Sequence, residues 1–565
     1  MENNMFTFPL ESLDLDTESS SANYSSTRYF RMIILELFHG ANVIAISGFE
    51  ARSETGAIID KSTWCIHEVT NQNASNLAEN VLDENPETFW STDNLPELRG
   101  HYITIDMGRE HTIGSICYIP VQNTIRTTHG RIKSYALAFY NDHTGWRTVK
   151  HGSFNPGNAP QDIVLIQYTD RQDLFFISRK HSHVEDMIDR GFSAPRAEFE
   201  PTGLYCSATG SFYVYIERDL PGNIDIELFI GTMGRQPTPS RYKLTKGANI
   251  ITPGREGLLY VSTIHPDRKF LVPISFRNVS RSAYYVLGKT TRDEWRLALA
   301  TSAHIPVAQL SSGKAIIAIT VANARKYEDE NIDELLNSYN RIISRVDEVC
   351  GLNQSDSTTL HWPTQSYYQL NESDSDDVYM YASYYHIGFH RETAHAFITV
   401  GGLTGYNGWG PWHEIGHWCQ MPLWNWIGTT ESTNNVIAAA MESLFGVQPT
   451  YIDRYGGREQ AERWLERDDK KIETAGNMIN FVMFNRLTEL FGTGFYPMLY
   501  REYRRVFKNP DFIRDTTTSD LRRDMFASIS SKCAGKNLIR HFEYWGFDLS
   551  DRTKQRIVDL NYPEL

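Results

Sequence analysis

Apolar positions along this chain alternate or form short blocks up to about residue 300, then recur every three to four residues. Within residues 60–200, Tyr102-Ile103-Thr104-Ile105-Asp106-Met107-Gly108 alternates as a half-buried strand. Gly130-Arg131-Ile132, running on to Tyr135-Ala136-Leu137-Ala138-Phe139, gives another. Asp83-Glu84-Asn85-Pro86-Glu87-Thr88 reads as a turn leading through Phe89 into a core tryptophan, Trp90. Residues 201–300 continue in strands (Phe212–Ile216, Ile224–Ile230, Gly257–Ser262) between Gly/Pro turns, which predicts a second sandwich packed against the C-terminal part of the chain. Ala315–Val321 is a buried strand. Ile332, Leu335, Leu336, Tyr339, Ile342, Ile343, Val346 and Val349 then follow helical spacing up to a Gly351 stop. Residues 476–492 and 496–506 are further helices. The expected division is a partial or linker segment 1–58, a β-sandwich 59–200, a β-sandwich subdomain 201–300 and a helix-rich α+β part 301–565.

The candidate chemistry sits in this last part. Trp412–Gln420 reads W-H-E-I-G-H-W-C-Q. On a helix His413 and His417 leave one face, one turn apart, and two neutral imidazoles so placed grip a single zinc ion. Glu414 then projects beside the metal, where a carboxylate can accept a proton from water. Hydrolysis needs a third protein ligand and an open position. Downstream, Thr429 or Thr430 is a natural N-cap, which puts Glu431 in the first turn before the apolar pattern Val436–Phe445. Pro422 stops the first helix and residues 424–428 form a turning loop. His413, His417 and Glu431 are therefore the expected zinc ligands, with Glu442 as second choice for the third, and Glu414 is the expected catalytic base. Peptide hydrolysis is the leading reaction class.

These residues carry a family resemblance. Gly408-Trp409-Gly410-Pro411-Trp412-His413-Glu414-Ile415-Gly416-His417-Trp418-Cys419-Gln420, with Thr430-Glu431-Ser432-Thr433-Asn434-Asn435, resembles the enhancin-like zinc metallopeptidases of family M-sixty, which attack mucins and other O-glycosylated proteins. Pro201–Tyr205 is similar to that family's opening β segment, and Asn537–Gly546 to its closing helix. The resemblance implies a gluzincin-type zincin catalytic domain, zinc on His413, His417 and Glu431, Glu414 as base, and glycoprotein substrates. Trp409 and Asn434 would help shape a glycan-reading pocket, or else be a packed indole and a capping amide. Residues 60–200, with His143-Thr144-Gly145-Trp146, resemble the discoidin or factor type-C jelly roll that family-32 carbohydrate-binding modules share. That resemblance implies glycan binding and a structural Ca²⁺ on Asp83, Asn85, Thr88 and Glu198, the alternative being a plain polar turn. Arg28–Leu37 with Ala45–Phe49 resembles the closing strands of such a unit, so the chain is expected to begin inside an incomplete copy.

Composition narrows the partners. A net charge of −14 argues against nucleic acid and anionic membrane surfaces, and 41% apolar residues indicate ordered domains. No run of 18 apolar residues spans a bilayer. The six scattered cysteines, without a C-x-x-C pair, read as buried free thiols, and Cys419 is expected to face the core. The first thirty residues show no signal peptide, whereas the family resemblance implies a secreted or surface protein. Three functions remain open: a zinc endopeptidase for O-glycosylated proteins, a glycan-independent zinc peptidase, or a glycan-binding adhesin with a retired peptidase domain.

Overall fold

The alternating runs before residue 170 pair into one sheet system whose spatial order departs from the chain order. The computed structural model describes residues 26–565 except 54–57, 86, 99, 123–129, 143–144, 166–171, 180, 217–219, 221, 236–237, 267–268 and 509–517. Pro86, His143 and Thr144, and the acidic start of the chain, lie outside the described residues. The chain divides into two units, Met1–Thr169 and Asp170–Leu565.

In the first unit the strands run Trp90–Ser91, Ala45–Ser53, Tyr102–Pro120, Ser26–Leu37, Ile132–Asn141, Gly145–Ser153, and Cys65–Val69 and Gln161–Val164 also pair with Tyr102–Pro120. The long strand serves both faces of a sandwich because it bulges. Its partner in Ser26–Leu37 jumps from Asp106 to His111, across exposed Gly108-Arg109-Glu110. Gly108 has φ +81°, and a Cβ there would lie 2.7 Å from the Thr63 side chain, so a larger residue would clash with the turn that precedes Cys65–Val69. Phe30, Met32 and Ile34 from one face meet Ile46, Phe49, Ile116 and Tyr118 from the other, with Trp90 fully buried among them. Ser26–Leu37 is an interior strand of this sandwich. Residues 26–53 therefore complete it instead of closing a separate, incomplete copy.

The second unit begins earlier than residue 201. Gln172–Ile177 pairs antiparallel with Leu271–Arg277, which assigns residues 172–200 to this unit. Two sheets, ordered Ser240–Lys243, Asp225–Ile230, Gly257–Ile264, Glu200–Cys206, Ser280–Arg281 and Gly247–Ile251, Phe212–Ile216, Leu271–Arg277, Gln172–Ile177, enclose a core of Val214, Ile226, Leu228, Val261 and Val272. A six-stranded mixed sheet comes next, ordered Tyr284–Val286, Val307–Ser311, Ala315–Thr320, Tyr368–Ser373, Ile387–His390, Met380–Ala382. Ala315–Thr320 and Tyr368–Ser373 pair in parallel, linked by the helix Ile332–Val349, whose apolar stripe from Leu335 to Val346 is buried as the spacing predicts. The edge strand Met380–Ala382 runs antiparallel to its neighbour. Helices Trp409–Cys419, Asn435–Phe445, Asn477–Phe491, Phe495–Phe507 and Ser519–Ala534 add the large aromatic core around Trp424, Trp426, Phe484 and Phe526. Among the described residues no helix is long and apolar enough to cross a membrane.

Candidate functional site

Trp412, Ile415, Trp418 and Cys419 drive one face of the helix Trp409–Cys419 fully into the core. His413 and His417 are left part-exposed on the other face, with their rings edge-on and 4.9 Å apart. Gln420 leaves the helix in an extended conformation, two residues before Pro422, and the chain turns back through Trp424–Gly428. Thr429 stands at the N-cap of Thr430–Thr433, but its hydroxyl donates to Trp426 O and makes no cap bond. Glu431 sits at a kink before Asn435–Phe445, with φ −87° and ψ 17°. Gly416 permits the close approach of the two segments, since a Cβ there would lie 2.2 Å from the Asn434 carbonyl oxygen.

This packing brings one ligand atom each from His413, His417 and Glu431 within 4.8 Å of one another. Among the described residues it is the one such group of three or more. Glu431 Oε2 lies 3.0 Å from His413 Nε2 and 3.3 Å from His417 Nε2. Both rings are held from behind by amides. His413 Nδ1 meets Asn435 Oδ1 at 2.7 Å, and His417 Nδ1 meets Gln420 Oε1 at 2.9 Å. An amide oxygen only accepts, so each Nδ1 carries the proton and each Nε2 lone pair points into the cluster. Asn435 Nδ2 donates to Glu431 O, and Gln420 Nε2 to Thr430 O and Thr433 Oγ1, so the same amides tie the acid-bearing segment to the helix. The donor set, two neutral imidazole nitrogens and a carboxylate, suits a borderline divalent ion with a coordination position left over.

Glu414 is buried beside the cluster, and its carboxylate accepts the N–H of Ala382 from the edge strand. Burial pushes its carboxyl above the ordinary value, while His413 and His417 pull the other way. The close approach of the His413 and His417 imidazoles holds Glu431 far below the usual carboxylate range, so it faces the cluster as an anion.

Of the other candidates, Asn434 joins this cluster and the rest make contacts elsewhere. Glu442 accepts the Tyr451 N–H at 2.8 Å and pairs with Arg454 at 3.2 Å, away from the histidines. Burial lifts its carboxyl to about 7. A folded-state value raised above that of the unfolded chain makes ionisable Glu442 a liability that grows from pH 4.5 to about 7 and is constant above. Glu442→Gln is therefore expected to raise Tm by several degrees at pH 8 and to change it little at pH 4.5, in matched thermal melts. Cys419 Sγ faces Ile415 O and Arg196, in the core. Trp409 is buried and stacks on Tyr451 at 3.9 Å and 12°. Asn434 Nδ2 lies 3.0 Å from His417 Nε2 and 3.3 Å from His413 O, inside the cluster's own bonding.

The calcium expectation finds no support. Within the turn, Asp83 accepts the Asn85 N–H at 2.9 Å and the Thr88 hydroxyl at 2.7 Å. Glu198 belongs to the second unit, where it is buried against His183 and accepts the His183 N–H at 3.0 Å. The roles of Asn435, Gln420 and the Ala382 N–H escaped the sequence reading. An amide three residues after His417 was the available signal.

Residues 278–546 match the model of the family "Peptidase M60, enhancin and enhancin-like", and residues 62–171 that of the F5/8 type C domain. A functionally unknown conserved protein from Bacillus anthracis str. Ames superposes with a TM-score of 0.64 at 26% identity, over 70% of this chain and 80% of that one. The M60 catalytic domain of Clostridium perfringens ZmpC, solved in complex with the sialyl T antigen, shares the fold, with a TM-score of 0.58 at 17% identity over 69% of this chain and 80% of that one. TRPM8 channel-associated factor 2 of Mus musculus is 23% identical over 302 residues, 52% of this chain. The chain spans 31% of that relative's length.

Proposed function

From the premise that the chain carries a peptidase M60, enhancin-like domain and an F5/8 type C domain, we propose that it is a zinc-dependent endopeptidase of O-glycosylated, mucin-type proteins. The observation that carries this reading is the set of three ligand atoms within 4.8 Å, with a buried carboxylate alongside. His413, His417 and Glu431 would hold the ion, which when bound would supply water acidified to a pKa of about 7 and polarisation of a scissile carbonyl. Glu414 would take the proton from the attacking water and return it to the leaving amine. The Ala382 N–H fixes the orientation of the carboxylate. Asn435 and Gln420 keep both imidazoles in the tautomer that offers Nε2.

Support for a glycosylated substrate comes from ZmpC, whose M60 domain was solved with a sialylated sugar antigen, and from the F5/8 type C domain, which in this reading anchors the enzyme to glycans outside a cell. Cleavage of a mucin-type glycoprotein before and after enzymatic removal of its O-glycans tests the point. Loss of cleavage on deglycosylation is expected, and equal cleavage would leave a glycan-independent zinc peptidase. The match to a channel-associated factor favours a second reading, a non-catalytic interaction protein. The complete set of His413, Glu414, His417 and Glu431 speaks against it, because a retired site has no use for a base beside its ligands.

Truncating the supporting amides gives a graded test. Asn435→Ala and Gln420→Ala are each expected to weaken zinc binding about 10–100-fold, measured by competition with a chromophoric chelator. Affinity equal to that of the unaltered protein would show that the amides do not orient the rings.

A further inference from the structure

The helix Asn435–Phe445 begins behind the metal cluster, where Asn435 backs His413. Two turns on, about 10 Å along its axis, the same helix carries Glu442 and walls a cavity of about 290 Å³. That volume stands at the lower edge of the roughly 300–1,000 Å³ that ligand pockets span, so the space suits a small molecule. Small side chains make the room. Val436, Ala439, Ala440 and Ser443 share one face of the helix and line the cavity. Val349 of the helix Ile332–Val349, Phe481 of Asn477–Phe491, and Ile452 supply further apolar wall.

The charged groups of the lining have partners on every side but one. Arg345 pairs with Glu348 at 2.8 Å. Arg458 pairs with Asp453 at 2.9 Å and with Glu489 at 3.1 Å. Glu489 is occupied on both oxygens, since Asn485 donates to Oε1 at 3.0 Å and Arg486 to Oε2 at 2.9 Å. Glu442 differs. Its side chain is only 5% exposed, and both of its donors end on Oε1, the Tyr451 N–H at 2.8 Å and Arg454 Nη2 at 3.2 Å. Among the described residues nothing donates to Oε2. A carboxylate oxygen buried without a donor carries a desolvation cost that the fold leaves uncompensated. The best match for it is a charged N–H, because charge-assisted hydrogen bonds are roughly twice as strong as neutral ones. A guanidinium fork wants two oxygens and finds one, whereas a compact ammonium needs only Oε2. The apolar walls then take whatever stem carries the ammonium.

We propose that this cavity binds a small primary ammonium ion on a short apolar stem, anchored on Glu442 Oε2. The site is separate from the metal cluster and independent of the peptidase reading. Three probes of similar size and shape test it, benzylamine as the cation, benzyl alcohol as the neutral form and benzoate as the anion. Each is titrated at pH 8 into the zinc-loaded full chain and followed by saturation-transfer NMR and thermal melts. The variants are Glu442→Gln, which keeps the shape of the side chain, and Ala439→Leu, which fills the cavity.

Benzylamine is expected to bind and to raise the Tm of the unaltered protein. Its binding should weaken about tenfold or more in each variant, the worth of one charge-assisted hydrogen bond or of the lost space. Benzyl alcohol and benzoate should bind more weakly than benzylamine by a similar factor. Circular dichroism checks folding, and if Ala439→Leu fails to fold, Glu442→Gln decides alone. Equal binding of benzylamine by Glu442→Gln would place the amine elsewhere, the zinc ion included, and overturn the site. Equal binding of benzyl alcohol would remove the ammonium from the proposal, and no binding of benzylamine would end it. None of these outcomes touches peptide cleavage, so the ammonium site and the peptidase reading fail separately.

Discussion

Glu414→Gln is expected to lower peptide hydrolysis by about 10²–10⁴-fold, the contribution of a positioned general base, while zinc stays bound. The amide keeps the shape of the side chain and can still accept the Ala382 N–H through its oxygen, so packing is preserved. What it loses is basicity, because an amide has no affinity for a proton near neutral pH. The loss belongs in kcat, with KM nearly constant, since the group acts on the reacting water and not on the bound peptide. A variant that cleaved at the original rate would remove Glu414 from the role of base. Loss of the metal along with the activity would make it a structural residue instead.

Glu431→Ala should have the larger effect on the metal. The carboxylate is the one anionic donor in the cluster and comes from a separate segment, so its removal leaves two imidazoles on a single helix face. Two neutral ligands do not make a closed zinc site. Zinc content after dialysis against a weak chelator is expected to fall from one equivalent to near zero, and cleavage with it. Glu431 is half-exposed at a kink, with a side-chain exposure of 49%, so the fold should survive. His417→Ala should likewise lose the metal. Here Gln420 also loses a partner, with an added cost of about 1 kcal/mol for one hydrogen bond. Full zinc retention by Glu431→Ala would shift the third ligand elsewhere, and Glu442, bound to Arg454, could not supply it.

The metal cluster was legible because its chemistry is local. His413 and His417 are fixed by helical spacing, and Glu431 comes after one short turn, so no long-range fold had to be known. The supporting contacts were not legible for the opposite reason. Ala382 reaches Glu414 only once the edge strand has paired with Ile387–His390, and nothing in Met380-Tyr381-Ala382 announces that. Asn435 and Asn434 are adjacent amides with separate partners, one behind His413 and one at His417 Nε2, a difference of side-chain direction that a sequence does not encode openly.

The same contrast holds for the fold. The helix Ile332–Val349 was readable to its ends from its apolar stripe. Ser26–Leu37 was readable as a strand, but its neighbours lie far along the chain, so its place inside the first sandwich was not. Glu198 looked like a ligand for the Asp83 turn because its residue type fitted, yet its burial against His183 belongs to another unit altogether.

Crystals of the zinc-supplemented protein measured on both sides of the zinc absorption edge test the central claim most directly. One strong anomalous peak is expected, about 2.0–2.2 Å from His413 Nε2, His417 Nε2 and a Glu431 carboxylate oxygen. No peak at that point, or a peak that leaves Glu431 beyond bonding distance, would contradict it.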